Sequence, residues 1–291
     1  MRLTGWLSRL KRPQVYPMMP ACSRWLRALL RIVVVILSMG VMTVSSADEH
    51  DKWSALLQSH VRVIDGGVAT QVDYAGFARD RAELQTYLAQ LSQVTRADFD
   101  QRPLADQLAF LINAYNAWTV ELILGAWPDL ASIRDLGSFL RTPWQRAFIP
   151  LLGDTVSLDN IEHDMIRGWG RYNEPRIHFA VNCASIGCPA LRHEAFRAQD
   201  LDAQLDEQTR LFLSDRSRNY LEDNTLWVTP ILRWYADDFE RGWAGYQSVP
   251  AFLADYAEAL GLSEAQRADL LAGRIRLRYL DYDWALNGIR D

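Results

Sequence analysis

The sequence predicts a mainly helical α+β fold, a single domain over residues 48–291 with a small, mostly antiparallel sheet. Three observations predict it. The 291-residue chain is 49% hydrophobic and has 11 Trp, so it can bury a large core. Segments with the apolar spacing of amphipathic helices cover most of the chain. Short alternating segments beside turn residues provide only a few strands.

The N-terminal region predicts an export signal. Residues 1–31 contain seven basic residues and no acidic one, and residues 32–44, "IVVVILSMGVMTV", carry no charge. The apolar segment is shorter than the ~20 residues of a membrane-spanning helix. We therefore expect a signal peptide cleaved after Ala47, no stable membrane span after cleavage, and a periplasmic or extracellular protein. The long basic region allows three translation starts: Met1, Met18 or Met19.

Removing residues 1–47 makes the chain strongly acidic. The loss of seven basic residues leaves 24 Lys+Arg against 36 Asp+Glu, a net charge of -12. Such a charge argues against a nucleic-acid partner. Lys52 is the one lysine left, which argues against a P-loop and against lysine-based covalent catalysis.

The first half of the chain predicts three helices. Residues 51–63 have helical apolar spacing that ends before the Gly-Gly pair at 66–67. Asp73 is the predicted N-cap of a second amphipathic helix that ends near Val94. Residues 103–128 are apolar almost all round between two prolines, which predicts a buried helix.

The second half alternates between short strands and helices. Two strands around a Gly-Asp turn are predicted for residues 147–158, and a helix with Asp159 as N-cap for 159–169. The alternation in "RIHFAV" predicts a strand over residues 176–181. The later predictions are a helix at 200–215, a hairpin at 218–230 around Asp223–Asn224, helices at 249–260 and 263–273, and a closing strand at 274–284.

Six segments occur together in an order that resembles a known family, domain of unknown function 547. The likeness covers most of residues 70–287. Bacterial members of that family are commonly exported, in agreement with the predicted signal. The resemblance implies no activity, so the chemistry has to come from the residues. The segments are "VDYAGF" (72–77), "QLAFLINAYNAWTVELIL" (107–124), "SLDNIEHDMIR" (157–167), "RIHFAVNCASIGCPALR" (176–192), "WYADDF" (234–239) and "YLDYDWALN" (279–287).

The cysteine segment, residues 176–192, contains the candidate catalytic residues. Cys183 begins a loop of small residues, "CASIGCP", whose backbone N–H groups could bind an oxyanion. His178 lies on the less apolar face of the predicted strand, but five extended residues span about 16 Å, too far for contact with Cys183. Either the chain folds back after Asn182, or another histidine is the base. His163, next to Glu162, is the first alternative and His193 the second.

The same two cysteines allow other interpretations. In an oxidising compartment an even number of cysteines favours a disulfide, here Cys183–Cys188. Closing so short a loop stabilises the fold by about 2 kcal/mol in the chain-entropy model. Cys183, Cys188, His163 and Glu162 are acceptable zinc ligand types, but one Cys-x4-Cys pair is a weak signal. We expect no metal site and no cofactor.

Two asparagines on the buried helix are the next candidates. Asn113 and Asn116 lie one turn apart, and buried amides need hydrogen-bond partners. We expect both to bond the segment around His178 or Cys183, either bracing loops or orienting the histidine or a substrate carbonyl. Asn182 and Ser185, in the cysteine segment, complete the set of candidate substrate-binding residues.

The sequence therefore leaves two classes of function. One is a thiol-dependent hydrolase or transferase that acts on amide or ester bonds in the cell envelope, with Cys183 as nucleophile. The other is a non-catalytic envelope module that binds a peptide or glycan, with a Cys183–Cys188 disulfide. In either class we expect one concave site, lined by His178, Asn182, Cys183 and Cys188 with Glu162 and His163 as neighbours.

Overall fold

A computed structural model describes residues 48–138 and 141–289 of the chain. The predicted signal peptide lies outside these residues, so its cleavage after Ala47 stays a prediction. Within the two described ranges no helix has both the length and the apolar character needed to cross a bilayer.

The N-terminal elements are helices around a two-stranded hairpin. The predicted second helix is divided in two at Asp80, whose backbone is not helical (φ -100°, ψ 21°). The Asp80 carboxylate lies 2.8 Å from His60 Nε2. Asp73 is the N-cap, as predicted: its side chain accepts the Gly76 N–H at 2.8 Å. The elements are α1 Asp51–His60, β1 Val61–Ile64, β2 Ala69–Val72, α2 Tyr74–Arg79, α3 Arg81–Gln93 and α4 Arg96–Asp100.

Helix α5, Leu104–Leu124, is the central element. It is buried on nearly every side, as its uniformly apolar sequence predicts. It packs against α3 on one side and against the π-helix Asn160–Arg167 on another. Each fully buried Leu, Ile or Phe stabilises the fold by about 1.5–3 kcal/mol, so this helix anchors the core.

The π-helix Asn160–Arg167 follows a short hairpin, β3 Ile149–Leu151 and β4 Asp154–Val156. Its predicted N-cap was wrong. Asp159 has helical dihedrals (φ -56°, ψ -41°) and makes no cap bond. The capping hydroxyl belongs to Ser157, which accepts the Asn160 N–H at 3.1 Å. The N-cap therefore lies two residues earlier than the pattern indicated.

The strand predicted over residues 176–181 is wrong. Pro175–Phe179 is a 3₁₀ helix, with Pro175 at its first turn and the Glu174 side chain accepting the Arg176 N–H at 3.0 Å. Proline has the dihedral that begins a helix and lacks the N–H that would be unpaired there. The helical turn shortens the path from His178 towards the cysteines compared with an extended strand.

The C-terminal half contains a three-stranded mixed sheet packed with helices. Its hairpin turns at Asp223 and Asn224, both with positive φ, as predicted. The last strand is shorter than predicted and runs parallel to the second strand of this hairpin, because helices separate the two in sequence. The elements are α6 Leu201–Ser214, β5 Tyr220–Glu222, β6 Thr225–Val228, α7 Ile231–Trp234, α8 Ala236–Glu240, α9 Val249–Asp255, α10 Glu264–Leu271 and β7 Arg276–Tyr279.

Two clusters of buried apolar side chains form the interior. The first surrounds α1, α3 and α5, and the second surrounds α8, α9 and the mixed sheet. Two side chains of the 3₁₀ helix pack into different clusters: Ile177 into the first and Phe179 into the second. The cysteine segment therefore runs along the boundary between the clusters. The predicted α+β class, mainly helical with small sheets, is confirmed.

Candidate functional site

A cleft of about 280 Å³ opens where the cysteine segment meets the π-helix and the C-terminal segment, residues 282–287. Helix α5 contributes Tyr115 to it, and the end of α7 contributes Trp234. The cleft brings together most of the candidate catalytic residues. Its lining consists of Tyr115, Thr142, Trp144, Gln145, Asp159, Glu162, His163, His178, Val181, Cys183, Cys188, Pro189, Ile231, Trp234, Tyr235, Tyr282 and Trp284.

Cys183 and Cys188 form a disulfide on the wall of this cleft, with their Cα atoms 6.1 Å apart. Cys183 is half-buried, whereas Cys188 is buried. The Tyr282 hydroxyl lies 3.1 Å from each of the two sulfur atoms. The bridge is therefore covered on one side by a phenol that can donate a hydrogen bond to either sulfur.

The disulfide loop is held by the C-terminal segment, residues 282–287. The Gly187 N–H donates to the Asp283 carbonyl at 2.8 Å, and the Asn287 N–H donates to the Ala184 carbonyl at 3.0 Å. A Cβ at Gly187 would lie 2.9 Å from the Tyr282 ring. Glycine is needed here because the backbone packs directly against that ring.

His178 and Asp238 form a buried pair beside the cleft. His178 Nε2 lies 2.8 Å from Asp238 Oδ2, and Arg167 and Arg241 also bind this carboxylate. Burial favours the neutral acid, but hydrogen bonds from His178 and Arg167 outweigh it and lower the pKa of Asp238 to about 2. Because an ionised carboxylate only accepts hydrogen bonds, Nε2 carries the imidazole proton and Nδ1 has the lone pair.

The Nδ1 atom of His178 is the unpaired position of this pair. It is buried, and it has no hydrogen-bond partner among the described residues. Burial lowers the pKa of His178, against the opposing effect of Asp238. The ring stacks on Tyr235 with the centroids 3.9 Å apart, which fixes its orientation. His178 is thus a neutral, oriented imidazole with an unused lone pair.

The π-helix contributes Glu162 and His163 to the cleft. Glu162 is buried. The pKa of the Tyr115 and Tyr235 hydroxyls is raised first by the burial of these two tyrosines and then by the negative charge of Glu162. His163 Nδ1 lies 2.9 Å from an Arg167 guanidinium nitrogen, which only donates, so its lone pair is occupied. His178 is therefore better placed than His163 to accept a proton. His193 is exposed and outside the lining.

The four candidate substrate-binding residues lie behind the cleft rather than in its lining. Asn116 donates to the Ala180 carbonyl at 3.0 Å and accepts the Asn182 N–H at 2.8 Å, as expected. The expectation for Asn113 is wrong, because both of its bonds go to the backbone of Phe196.

The remaining two of the four lie in the cysteine segment itself. The Asn182 side chain donates to the Pro189 carbonyl at 2.7 Å and accepts the Ala184 N–H at 2.9 Å, which closes the base of the disulfide loop. Ser185 is buried and forms an isolated bridge with Leu286. These contacts hold the loop and direct none of the four side chains at a ligand.

Sequence reasoning missed the partners that complete the site. Asp238 lies 60 residues after His178, and Tyr282 lies 99 residues after Cys183. Both belong to segments that carried the family resemblance, "WYADDF" and "YLDYDWALN". That resemblance was the available signal, but it gave no pairing. No group of three or more His, Cys, Asp or Glu side chains in residues 48–138 and 141–289 is arranged to hold a metal ion.

Comparison with known proteins supports the family and leaves the activity open. Residues 100–213 match the model of the family described as "Protein of unknown function, DUF547", which confirms the resemblance for the central part of the chain. The match includes α5, the π-helix and the whole cysteine segment. No curated protein and no solved structure shows significant similarity to the chain.

Proposed function

We propose that this DUF547 protein is an exported, thiol-dependent hydrolase or transferase that acts on amide or ester bonds in the cell envelope. Cys183 is the nucleophile once its disulfide is reduced, His178 is the base, and Asp238 orients the histidine. One observation supports this assignment above the others. His178, which is paired with the buried Asp238 and has an unused lone pair on its imidazole, lines the same cleft as Cys183.

The oxidised protein is a resting form in this proposal. A dithiol reductant supplies two electrons and two protons and converts the bridge to two thiols. Cys183 is the more exposed of the two. Cys188 keeps a contact of its own, because its sulfur lies 2.9 Å from the Cys183 N–H. The reduced loop therefore holds Cys188 in place and leaves Cys183 to meet a substrate.

The reaction then follows the pattern of thiol acyl transfer. His178 Nδ1 takes the proton of the Cys183 thiol, and the thiolate sulfur forms a bond to the carbonyl carbon of the substrate. The imidazolium then gives the proton to the amine or alcohol as its bond to the carbonyl carbon breaks. The acyl group remains on Cys183 as a thioester. Water resolves the thioester in a hydrolase, and a second amine or alcohol resolves it in a transferase. The lowered pKa of His178 keeps it neutral at pH 7, as a base must be.

The alternative is a binding module whose disulfide stays closed. The bridge itself supports it, since Tyr282 covers both sulfurs and the loop is bonded along its length to the C-terminal segment. In that case the cleft holds an envelope peptide or glycan without changing it. Both cysteines then have the same structural role.

Alkylation of the reduced protein distinguishes the two functions. We expect iodoacetamide to label Cys183 ahead of Cys188 and faster than free cysteine at pH 7, because an adjacent base favours the thiolate. His178→Gln should slow the labelling to that of an ordinary thiol and remove its dependence on pH near neutrality. His193→Gln, an exposed histidine outside the cleft, is the matched control.

Two outcomes would contradict the enzymatic proposal. The first is labelling of Cys183 that is no faster than that of a free thiol and is insensitive to His178→Gln in a folded protein. The second is equal, mild destabilisation by Cys183→Ser and Cys188→Ser with no thiol reactivity, which favours the binding module. Export is tested separately, by N-terminal sequencing of the protein from the producing cell, where a mature chain beginning at Asp48 is expected.

A further inference from the structure

Trp234 is exposed in a place where core packing does not explain it. Four large hydrophobic side chains of the described residues are exposed, Val63, Leu104, Trp234 and Leu271, and Trp234 is the aromatic one. It is 45% exposed and lines the cleft. A tryptophan that is this exposed beside a concave site offers a flat apolar surface to a ligand.

Trp234 belongs to an ordered aromatic wall formed by Trp144, Trp234, Tyr282 and Trp284. The Trp234 and Trp284 rings are stacked at 5.9 Å with an interplanar angle of 22°, and Trp234 lies 4.9 Å from the Tyr282 ring. Trp144 meets Trp284 edge-on at 5.9 Å. Since each ring is held by a neighbour, the wall presents its faces with little side-chain entropy left to lose on binding.

The rest of the cleft has polar groups suited to hydroxyls. Thr142 and Gln145 provide donors and acceptors, and Asp159 and Glu162 provide carboxylate oxygens. A pyranose has both complementary surfaces: a face of C–H groups for an aromatic ring and an edge of hydroxyls for amides and carboxylates. The combination of wall and polar lining thus fits a sugar ring better than a purely apolar molecule.

The charged side chains that line the cleft disfavour an anionic ligand, although Arg134 lies 5.2 Å from the Trp284 ring at the edge of the aromatic wall. Arg167 is bound to Asp238 and His163, and Arg241 is also bound to Asp238, so neither guanidinium is free. The carboxylates of Asp159 and Glu162 would repel phosphate, sulfate or uronic acid groups. The described residues that line the cleft include no arginine or lysine, and this small cleft with hydroxyl-binding groups favours a neutral, compact ligand.

We infer that the cleft binds a neutral carbohydrate, with one sugar ring stacked on Trp234 in the aromatic wall and its hydroxyls bonded to Asp159, Glu162 and Gln145. The inference rests on the proposed function in naming the substrate class: the amide or ester that Cys183 attacks belongs to a glycan-bearing envelope molecule. Binding itself needs no thiol, because the disulfide and the wall are present together.

Calorimetry on the oxidised protein of residues 48–291 tests this inference. The probes are the N-acetylglucosamine trisaccharide and maltotriose as neutral sugars, a uronic acid trisaccharide as anion and trilysine as cation. We expect a neutral trisaccharide to bind, and Trp234→Ala to weaken it about tenfold or more, as truncation of a central aromatic contact does. Leu271→Ala, which truncates a similarly exposed apolar side chain outside the cleft, should leave affinity unchanged.

Three results would overturn the inference: no heat with either neutral sugar, unchanged affinity in a folded Trp234→Ala protein, or preferential binding of the uronic acid trisaccharide or trilysine. The oxidised protein has no Cys183 thiol, so these binding results do not test the enzymatic proposal, which depends on alkylation of the reduced protein. Conversely, a reduced Cys183 with ordinary reactivity would end the enzymatic proposal and leave sugar binding intact. The two failures are therefore distinguishable.

Discussion

Replacing Asn116 by leucine should destabilise the protein and disturb the cleft, whereas the same change at Asn113 should only destabilise it. Both amides are buried on α5, one turn apart, and each bonds one backbone carbonyl and one backbone N–H. Asn116 supports the backbone between His178 and Cys183. Asn113 supports Phe196 instead, beyond the disulfide loop.

The magnitude follows from the groups left unpaired. Asn116→Leu orphans the carbonyl of Ala180 and the N–H of Asn182, in residues that are 1% and 3% exposed. Each orphaned buried group costs about 1–3 kcal/mol, so the free energy of unfolding should fall by about 2–6 kcal/mol. A domain with a typical stability of about 5–15 kcal/mol remains largely folded at the lower end of that loss.

Urea denaturation of both variants measures the destabilisation, with unchanged m-values as the check that unfolding stays two-state. Alkylation of Cys183 in the reduced proteins measures the effect on the cleft. We expect similar losses of stability but slower alkylation only in Asn116→Leu. A loss below about 1 kcal/mol in both variants would refute the reasoning from orphaned groups. Equal alkylation rates would refute the claim that Asn116 positions the site.

Three further expectations concern the same region. Burial lowers the pKa of His178 in the folded protein, and hydrogen bonds from His178 and Arg167 lower the pKa of Asp238 to about 2. On acidification both groups therefore take up protons in the unfolded chain at a higher pH than in the folded protein. Stability should therefore be constant above about pH 6.5 and fall below it, then fall again below about pH 4; urea melts that do not shift between pH 8 and 4 would contradict this. Gly187→Ala should cost about 1–3 kcal/mol by displacing the Tyr282 ring, seen as a changed near-UV circular dichroism spectrum, and an unchanged spectrum would count against it. Ser157→Ala should cost about 1 kcal/mol of thermal stability as a lost N-cap, and an unchanged melting temperature would contradict the assignment of the cap to Ser157.

The parts of the fold that sequence could predict are those with local causes. The uniformly apolar α5, the Asp73 cap and the turn at Asp223–Asn224 each depend on residues within a few positions of one another. The composition of the cleft was also partly predictable, because His178 and the two cysteines are separated by few residues.

The parts that failed depend on distant contacts or on ambiguous periodicity. Six alternating residues from Arg176 fit a strand, but Pro175 begins a 3₁₀ helix, and so short a segment satisfies both periods. The pairing of His178 with Asp238 joins residues 60 positions apart in the sequence, and no local pattern encodes it. Asn113 and Asn116 are both buried on α5, one turn apart, so their different partners depend on the path of the chain around α5.

The bonds between the disulfide loop and the C-terminal segment set an order of events during synthesis. Cys183 precedes Asn287 by about 100 residues, which a ribosome adds in about 5–20 s at ~5–20 residues per second. Throughout that interval the nascent cysteines have neither the phenol of Tyr282 over them nor the backbone partners of residues 283–287. Their sulfurs are then open to any oxidant or disulfide-exchange catalyst that meets the growing chain. After the C-terminal segment has folded, Tyr282 covers one side of the same sulfurs, so reagents that meet the cysteines before and after that step meet different surroundings.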